Sequence, residues 1–190
     1  MARAKSEDKH NAILEAATQV FAEQGLGAAT SAISRAARVA EGTLFTYFRT
    51  KDELINALYR SIKLELADAM MSGFPRKKSV RLRLEHIWTQ FVNWGIHNPH
   101  QRTVLRQLQL WNGLTEESLK AGLAPFAEIE MMIVEAESQR IVQDLPRRFV
   151  EATMGALAET VIDLMRLDPA QAKVYRTAGF KMLWAGIARK

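Results

Sequence analysis

Apolar residues recur every three or four positions along nearly the whole chain, the spacing that lines one face of an α-helix. The first such run holds Ile13, Leu14, Ala17, Val20 and Phe21. Ser6 can cap it, acidic Glu7 and Asp8 suit its first turn, and Gly25 suits its stop, which predicts a helix over about 7–24. Thr30 or Ser31 can cap a second, short helix with Ile33, Ala36 and Ala37 turned inward. A turn at Ala37-Arg38-Val39 leads to a third helix from about Ala40 to Phe48. Its Leu44 and Phe48, four apart, face a core, which leaves Thr43, Phe45, Thr46 and Tyr47 at or near the surface. Phe45, Tyr47 and Phe48 are three aromatics in nine residues, more than one short helix is expected to bury.

Thr50 and Glu53 have the spacing of a capping box, which starts a fourth helix over about 51–73. Leu54, Leu58, Ile62, Leu66 and Met70 form its stripe, and Phe74-Pro75 ends it. Arg76-Lys77-Lys78 reads as solvated loop charge. Helix five spans about 79–97 and breaks at Asn98-Pro99; helix six spans about 100–112. Helix seven begins near Thr115, is kinked or split by Pro125, and continues toward Ile141. Asp144 with Pro146, and Asp168 with Pro169, give the cap-then-proline signal for helices eight and nine. No segment alternates as a strand does. The expected fold is all-α with about nine helices and no internal repeat.

The last two helices carry wide apolar faces with small residues among them. Val150, Met154, Leu157, Val161 and Met165 line one; Tyr175, Ala178 and Met182 lie on the other. Such a pair is half of a four-helix bundle. Either a second copy of the chain completes it, with these residues at the dimer interface, or helices five to seven of the same chain do.

Composition narrows the chemistry. The 190 residues include no Cys, which excludes disulfides, a Cys-ligated zinc site and a Cys nucleophile. No apolar run approaches membrane-spanning length and MARAKSEDKH lacks a signal core, so a cytoplasmic protein without membrane attachment is expected. Net charge is +5, but the basic excess lies in residues 61–110, with 8 Lys/Arg against 3 Asp/Glu; residues 1–60 hold 8 against 7. Charge alone is therefore weak support for nucleic-acid binding. His86, His97 and His100 lack the i, i+4 spacing of a metal pair. Phosphate-binding glycine loops and nucleophile-elbow motifs are absent, and Glu128 and Glu130 cannot share a helix face. No catalytic residue, metal or cofactor is expected.

The run Gly42-Thr43-Leu44-Phe45-Thr46-Tyr47-Phe48, followed by Lys51-Asp52-Glu53-Leu54, resembles the tetracycline-repressor (TetR) family of bacterial regulators. Phe21-Ala22-Glu23-Gln24-Gly25, Ile33, Ala37 and Val39 fall in the register of that family's pattern, and the specific motif covers about residues 13–58. The resemblance implies a helix-turn-helix DNA-binding domain over 1–50 and a helical effector-binding and dimerisation domain over 51–190, joined by helix four. It implies a homodimer that binds a palindromic double-stranded operator as a repressor and is released by a small effector. Carried over by position, Glu41, Gly42, Thr43 and Phe45 would meet bases or adjacent backbone, and Thr30, Tyr47 and Lys51 would meet phosphates. Arg38 is a further candidate for a phosphate contact.

Chemically, Glu41 can accept from a cytosine amino group and Phe45 can pack on a thymine methyl. Lys51 and the Tyr47 hydroxyl suit phosphate positioning. The chain departs from the family where Arg38 stands for the usual turn Gly, Ala40 for a Ser cap and Phe45 for a Tyr, and where the Thr pair before helix two is displaced to Ala28-Ala29-Thr30-Ser31. A left-handed backbone at Arg38 would cost about 1–2 kcal/mol. An effector pocket between helices five and eight would draw on Trp88, Phe91, Trp111, Phe126, Met131, Met132 or Met154, which suggests an apolar or aromatic ligand. The rival readings are a helical protein–protein adaptor that docks through Phe45 and Tyr47, and an activator of the same fold.

Overall fold

The computed structural model describes the backbone of residues 2–189 and the side chains of residues 6–189. The residues before the expected first helix read as mobile, or as a basic arm that touches phosphates through Arg3 and Lys5; the side chains of both lie outside the described residues. Ten α-helices occur among them: α1 (Ala2–Gln24), α2 (Thr30–Ala36), α3 (Glu41–Tyr47), α4 (Lys51–Met71), α5 (Val80–His97), α6 (Pro99–Leu108), α7 (Glu116–Leu123), α8 (Ala127–Ser138), α9 (Arg147–Leu167) and α10 (Ala172–Ile187). Short 3-10 turns at Ala124–Phe126 and Pro169–Gln171 complete the elements. The first of these turns holds Pro125, which splits the expected seventh helix into α7 and α8. The chain forms two compact units, residues 1–65 with 98–124, and residues 66–97 with 125–190.

In the first unit, Ile13, Ala17, Phe21, Ile33, Leu44 and Phe48 are all at most 2% exposed. They are the residues that the helical spacing turns inward. Asn56 of α4 holds the segment before α7. Its amide nitrogen donates to the Asp52 and Gly113 carbonyls at 2.9 and 3.0 Å, and its oxygen accepts from the Thr115 backbone N–H at 2.9 Å. Thr115 caps α7 by accepting from the Ser118 N–H.

Several caps differ from expectation. Helix α1 begins at Ala2, so Ser6 lies inside it and is free to meet Tyr47 instead. Ala29 occupies the cap position of α2 without a side-chain bond, displacing Thr30 and Ser31 from that role. Pro146, not Asp144, precedes α9, because its carbonyl accepts from the Phe149 and Val150 amides at 2.9 and 3.1 Å. Asp168 makes no side-chain cap; its carboxylate accepts from the Tyr175 hydroxyl at 3.4 Å. Helix α6 stops at Leu108, short of Trp111.

In the second unit, Trp88 and Val92 of α5 pack with Ala158, Val161, Ile162 and Met165 of α9 and with Phe180 and Leu183 of α10. The Trp88 indole donates to the Arg176 carbonyl at 2.9 Å, and the Arg176 guanidinium donates to Asn93 at 2.7 Å. This core draws on part of the expected dimer face. Val161 and Met165 are buried against the chain's own helices, and Val150, Met154, Leu157 and Tyr175 are half-buried. Ala178 and Met182 do face outward. The apolar face of α9 is wide enough that one edge closes the core while another, Phe149, Leu164 and Leu167, stays exposed.

Helix α8 carries two acidic ridges, each with a seven-residue spacing. Glu128 and Glu135 pair with Arg76 and Arg83, both at 2.7 Å. Glu130 and Glu137 pair with Arg147 at the start of α9. The exposed pairs of Arg76 and Arg147 are each worth less than about 1 kcal/mol and serve mainly to orient α8, whereas the Arg83 side chain is only 12% exposed. Arg76 is thus an ion-pair partner rather than simply solvated loop charge.

Gly179 is required by close approach: an added Cβ would stand 2.6 Å from Trp88 Cζ2 and 2.7 Å from Val161 Cγ2. Gly179→Ala is therefore expected to cost about 1–3 kcal/mol through overpacking. A lowered urea midpoint checks this, and an unchanged midpoint would mean the helices approach less closely than described.

Candidate nucleic-acid interface

The turn between α2 and α3 is built by backbone geometry. Arg38 has φ +55°, in the left-handed region. The Val39 N–H donates to the Ser34 carbonyl at 3.0 Å and the Arg38 N–H to the Arg35 carbonyl at 3.1 Å. These two bonds make the Schellman closure of a helix C-terminus, normally built around glycine. Arg38 therefore takes the conformation of the glycine it replaces, and its side chain stays exposed.

Helix α3 buries Leu44 completely and turns Glu41, Gly42, Phe45 and Thr46 to solvent, with Phe45 40% exposed. Thr43 and Tyr47 are half-buried. The Thr30 hydroxyl donates to Glu41 Oε1 at 2.9 Å, tying the first residue of α2 to the first residue of α3. No sequence signal marks this pair, because eleven residues and a turn separate its members.

Tyr47 lies against α1. Its hydroxyl is 3.3 Å from the Ser6 hydroxyl, and its ring meets the His10 ring edge-on with centroids 6.2 Å apart. Lys51 opens α4 with its ammonium 5.8 Å from the centre of the Phe21 ring. Half of the capping box is present: the Glu53 N–H donates to Thr50 Oγ1 at 3.1 Å, while the Glu53 carboxylate accepts from the Arg49 N–H at 2.9 Å, one residue before the cap. Arg35 and Arg49, passed over in the sequence reading, are also exposed in this segment. All eight residues proposed for DNA thus lie at least partly at the surface of the segment from Thr30 to Lys51. What they present is hydrogen-bonding side chains, one apolar ring and two cations, a mixture suited to base edges and phosphates.

The second unit contains a cavity of about 120 Å³. Eleven of its fifteen lining side chains are aliphatic or methionine, and the others are Glu137, Gln143, Arg147 and Glu151. Of the residues expected to line a pocket, Met132 and Met154 do so. Trp88 and Phe91 belong to the neighbouring core, and Phe126 is half-buried in its 3-10 turn. Met131 is 65% exposed, since consecutive residues on a helix point about 100° apart and Met132 takes the inward direction. Trp111 belongs to the first unit.

Much of one wall comes from Val142, Gln143 and Leu145, whose place there has no signal in local spacing. The Arg140 backbone, at φ +55°, ends α8 with a second Schellman closure. The following residues pair with the chain's end through an antiparallel bridge between Val142 and Ala188. The hydrogen bond from Arg147 holds the Glu137 carboxyl below its usual range, and both carboxylates raise Arg147.

The fold and this segment define an all-α helix-turn-helix protein. Residues 13–58 match the family model for bacterial regulatory proteins of the tetR family. The chain is 32% identical over 102 residues to the uncharacterized HTH-type transcriptional regulator YhgD of Bacillus subtilis (strain 168), a match covering 51% of this chain and 50% of that one. The chain spans about half the length of the curated relatives it matches. Among solved structures, a putative tetR family transcription regulator from Shewanella sp. PV-4 superposes with a TM-score of 0.85 at 24% identity, covering 96% of this chain and 99% of that one. A TetR family transcription regulator from Marinobacter aquaeolei VT8 gives 0.88 at 19% identity, over 99% and 100%. The segment over residues 13–58 is thus of the TetR family, and the chain as a whole has the fold of these solved regulators.

Arg38→Gly separates folding from recognition. It relieves a left-handed non-glycine residue and is expected to stabilise the protein by about 1 kcal/mol, read as a higher urea midpoint. A lower midpoint would show that the Arg38 side chain contributes packing that outweighs the strain.

Proposed function

We propose that this protein is a transcriptional repressor that binds a palindromic operator as a homodimer in the cytoplasm and is released by a small effector. The observation that carries the proposal is the outward face of α3, held in place from three sides by the Arg38 turn, the Thr30–Glu41 bond and the buried Leu44 and Phe48. A short, supported helix with exposed polar groups and one ring suits the major groove. In this reading Glu41, Gly42, Thr43 and Phe45 meet base edges or the adjacent backbone. Thr30, Arg38, Tyr47 and Lys51 hold phosphates, and Thr30 also steadies Glu41 through its hydroxyl.

The homodimer would form on α9 and α10. Their exposed residues include Phe149, Leu164, Leu167, Val174 and Met182, a large apolar surface for a solitary chain. The effector would enter the cavity beside Met132 and Met154.

Lys51→Ala is expected to weaken binding to all DNA sequences alike and to reduce the slope of log affinity against log salt by about 1. Glu41→Ala is expected to change which bases are preferred, with little effect on that slope. Binding isotherms at several salt concentrations on a set of single-base operator variants measure both. A changed base preference in Lys51→Ala, or none in Glu41→Ala, would overturn the assignment of roles.

A further inference from the structure

The cavity in the second unit has a polarity that restricts what it takes. Its body is apolar, and the four polar side chains in its lining differ in what they have left to offer. All three guanidinium nitrogens of Arg147 are engaged: Nε and Nη2 donate to the two Glu137 oxygens at 3.0 and 2.8 Å, and Nη1 donates to Glu130. The Gln143 amide nitrogen donates to the Gly186 and Ala188 carbonyls, both at 3.1 Å. Both Gln143 N–H donors are therefore spent, and the Arg147 guanidinium is already shared between two carboxylates. The Gln143 carbonyl oxygen and the Glu151 carboxylate, which both lack a partner in the structure, are acceptors. Charge points the same way. Among the lining side chains Glu137 and Glu151 stand against Arg147, one net negative charge.

Size sets a second limit. An apolar cavity of about 150 Å³ accepts a benzene molecule. At about 120 Å³ this one takes a single ring or a short branched alkyl group.

We infer that the cavity binds a small amphipathic amine, its ring or short alkyl body among the aliphatic side chains and its ammonium on Glu151 and the Gln143 carbonyl. A carboxylate of the same shape meets only an Arg147 guanidinium already shared by two glutamates, and is repelled by Glu151. The inference rests on the reading of this cavity as the effector site and specifies the chemistry of that site.

Three probes of one shape test it: benzylamine, benzyl alcohol and benzoate, titrated calorimetrically into the full chain at neutral pH. One exposed charge pair changes affinity by a factor of about two to five, and reversing the sign of the head group compounds the difference. The amine is expected to bind about tenfold more tightly than the acid, with the alcohol between them. Glu151→Gln, at an exposed position that leaves the fold undisturbed, is expected to bring the amine down to the alcohol. Val150→Trp, placed to fill the cavity and checked for folding by circular dichroism, is expected to abolish binding of all three.

Equal binding of the three probes, tighter binding of the acid, or an amine preference that survives Glu151→Gln would overturn the inference on ligand charge and leave the effector cavity standing. No binding by any probe at millimolar concentration, or binding that persists in folded Val150→Trp, would overturn both.

Discussion

A helix of seven residues is not stable by itself in water, because nucleation costs more than so few hydrogen bonds return. Helix α3 has that length and carries the face on which the proposed function depends, so its position has to be imposed by what surrounds it. Leu44 and Phe48 anchor it from below by complete or nearly complete burial. The left-handed backbone at Arg38 sets the angle at which the chain enters it. The Thr30–Glu41 bond ties its first turn to the preceding helix. Tyr47, against Ser6 and His10, fixes its last turn to α1. The cap that α3 lacks at Ala40 is thus offset by tertiary contacts at both ends.

The second unit works by a different constraint, close approach. Gly179 lets α10 come near enough for Trp88 and Val161 to meet its backbone, and around that contact α5, α9 and α10 form one core. Helix α8 buries Met132 and Ala136 in the same unit, and its two acidic ridges pair with Arg76, Arg83 and Arg147. The cavity lies beside α8, closed by residues 141–145 and the chain's last residues. The Arg147–Glu137 pair thus borders the cavity on the α8 side.

Local chemistry made much of this legible in advance. The stripe Leu54, Leu58, Ile62, Leu66 and Met70 is buried throughout, and Thr50 caps α4 by accepting from the Glu53 N–H, as the spacing implies. Arg38 adopts the conformation of the glycine it replaces because the turn leaves no other backbone path. Where the sequence misled, more than one local solution was available. Ser6 and Asp144 are good capping residues, yet α1 starts earlier and Pro146 takes the second role. Val161 and Met165 share a broad apolar face with outward residues, and periodicity does not say which edge of such a face meets the core. The Thr30–Glu41 pair and the cavity wall join residues far apart in the chain. Such contacts have no signature in local spacing.

The central claim is that the chain reads DNA through α3 as a two-fold dimer. Selection of bound fragments from a random DNA pool by the purified protein at low salt, followed by sequencing, tests it most directly. The account predicts an enriched inverted repeat whose half-sites are spaced as the symmetry of a dimer requires. Binding without any enriched sequence, or no binding at low salt where electrostatic attraction is strongest, would contradict it.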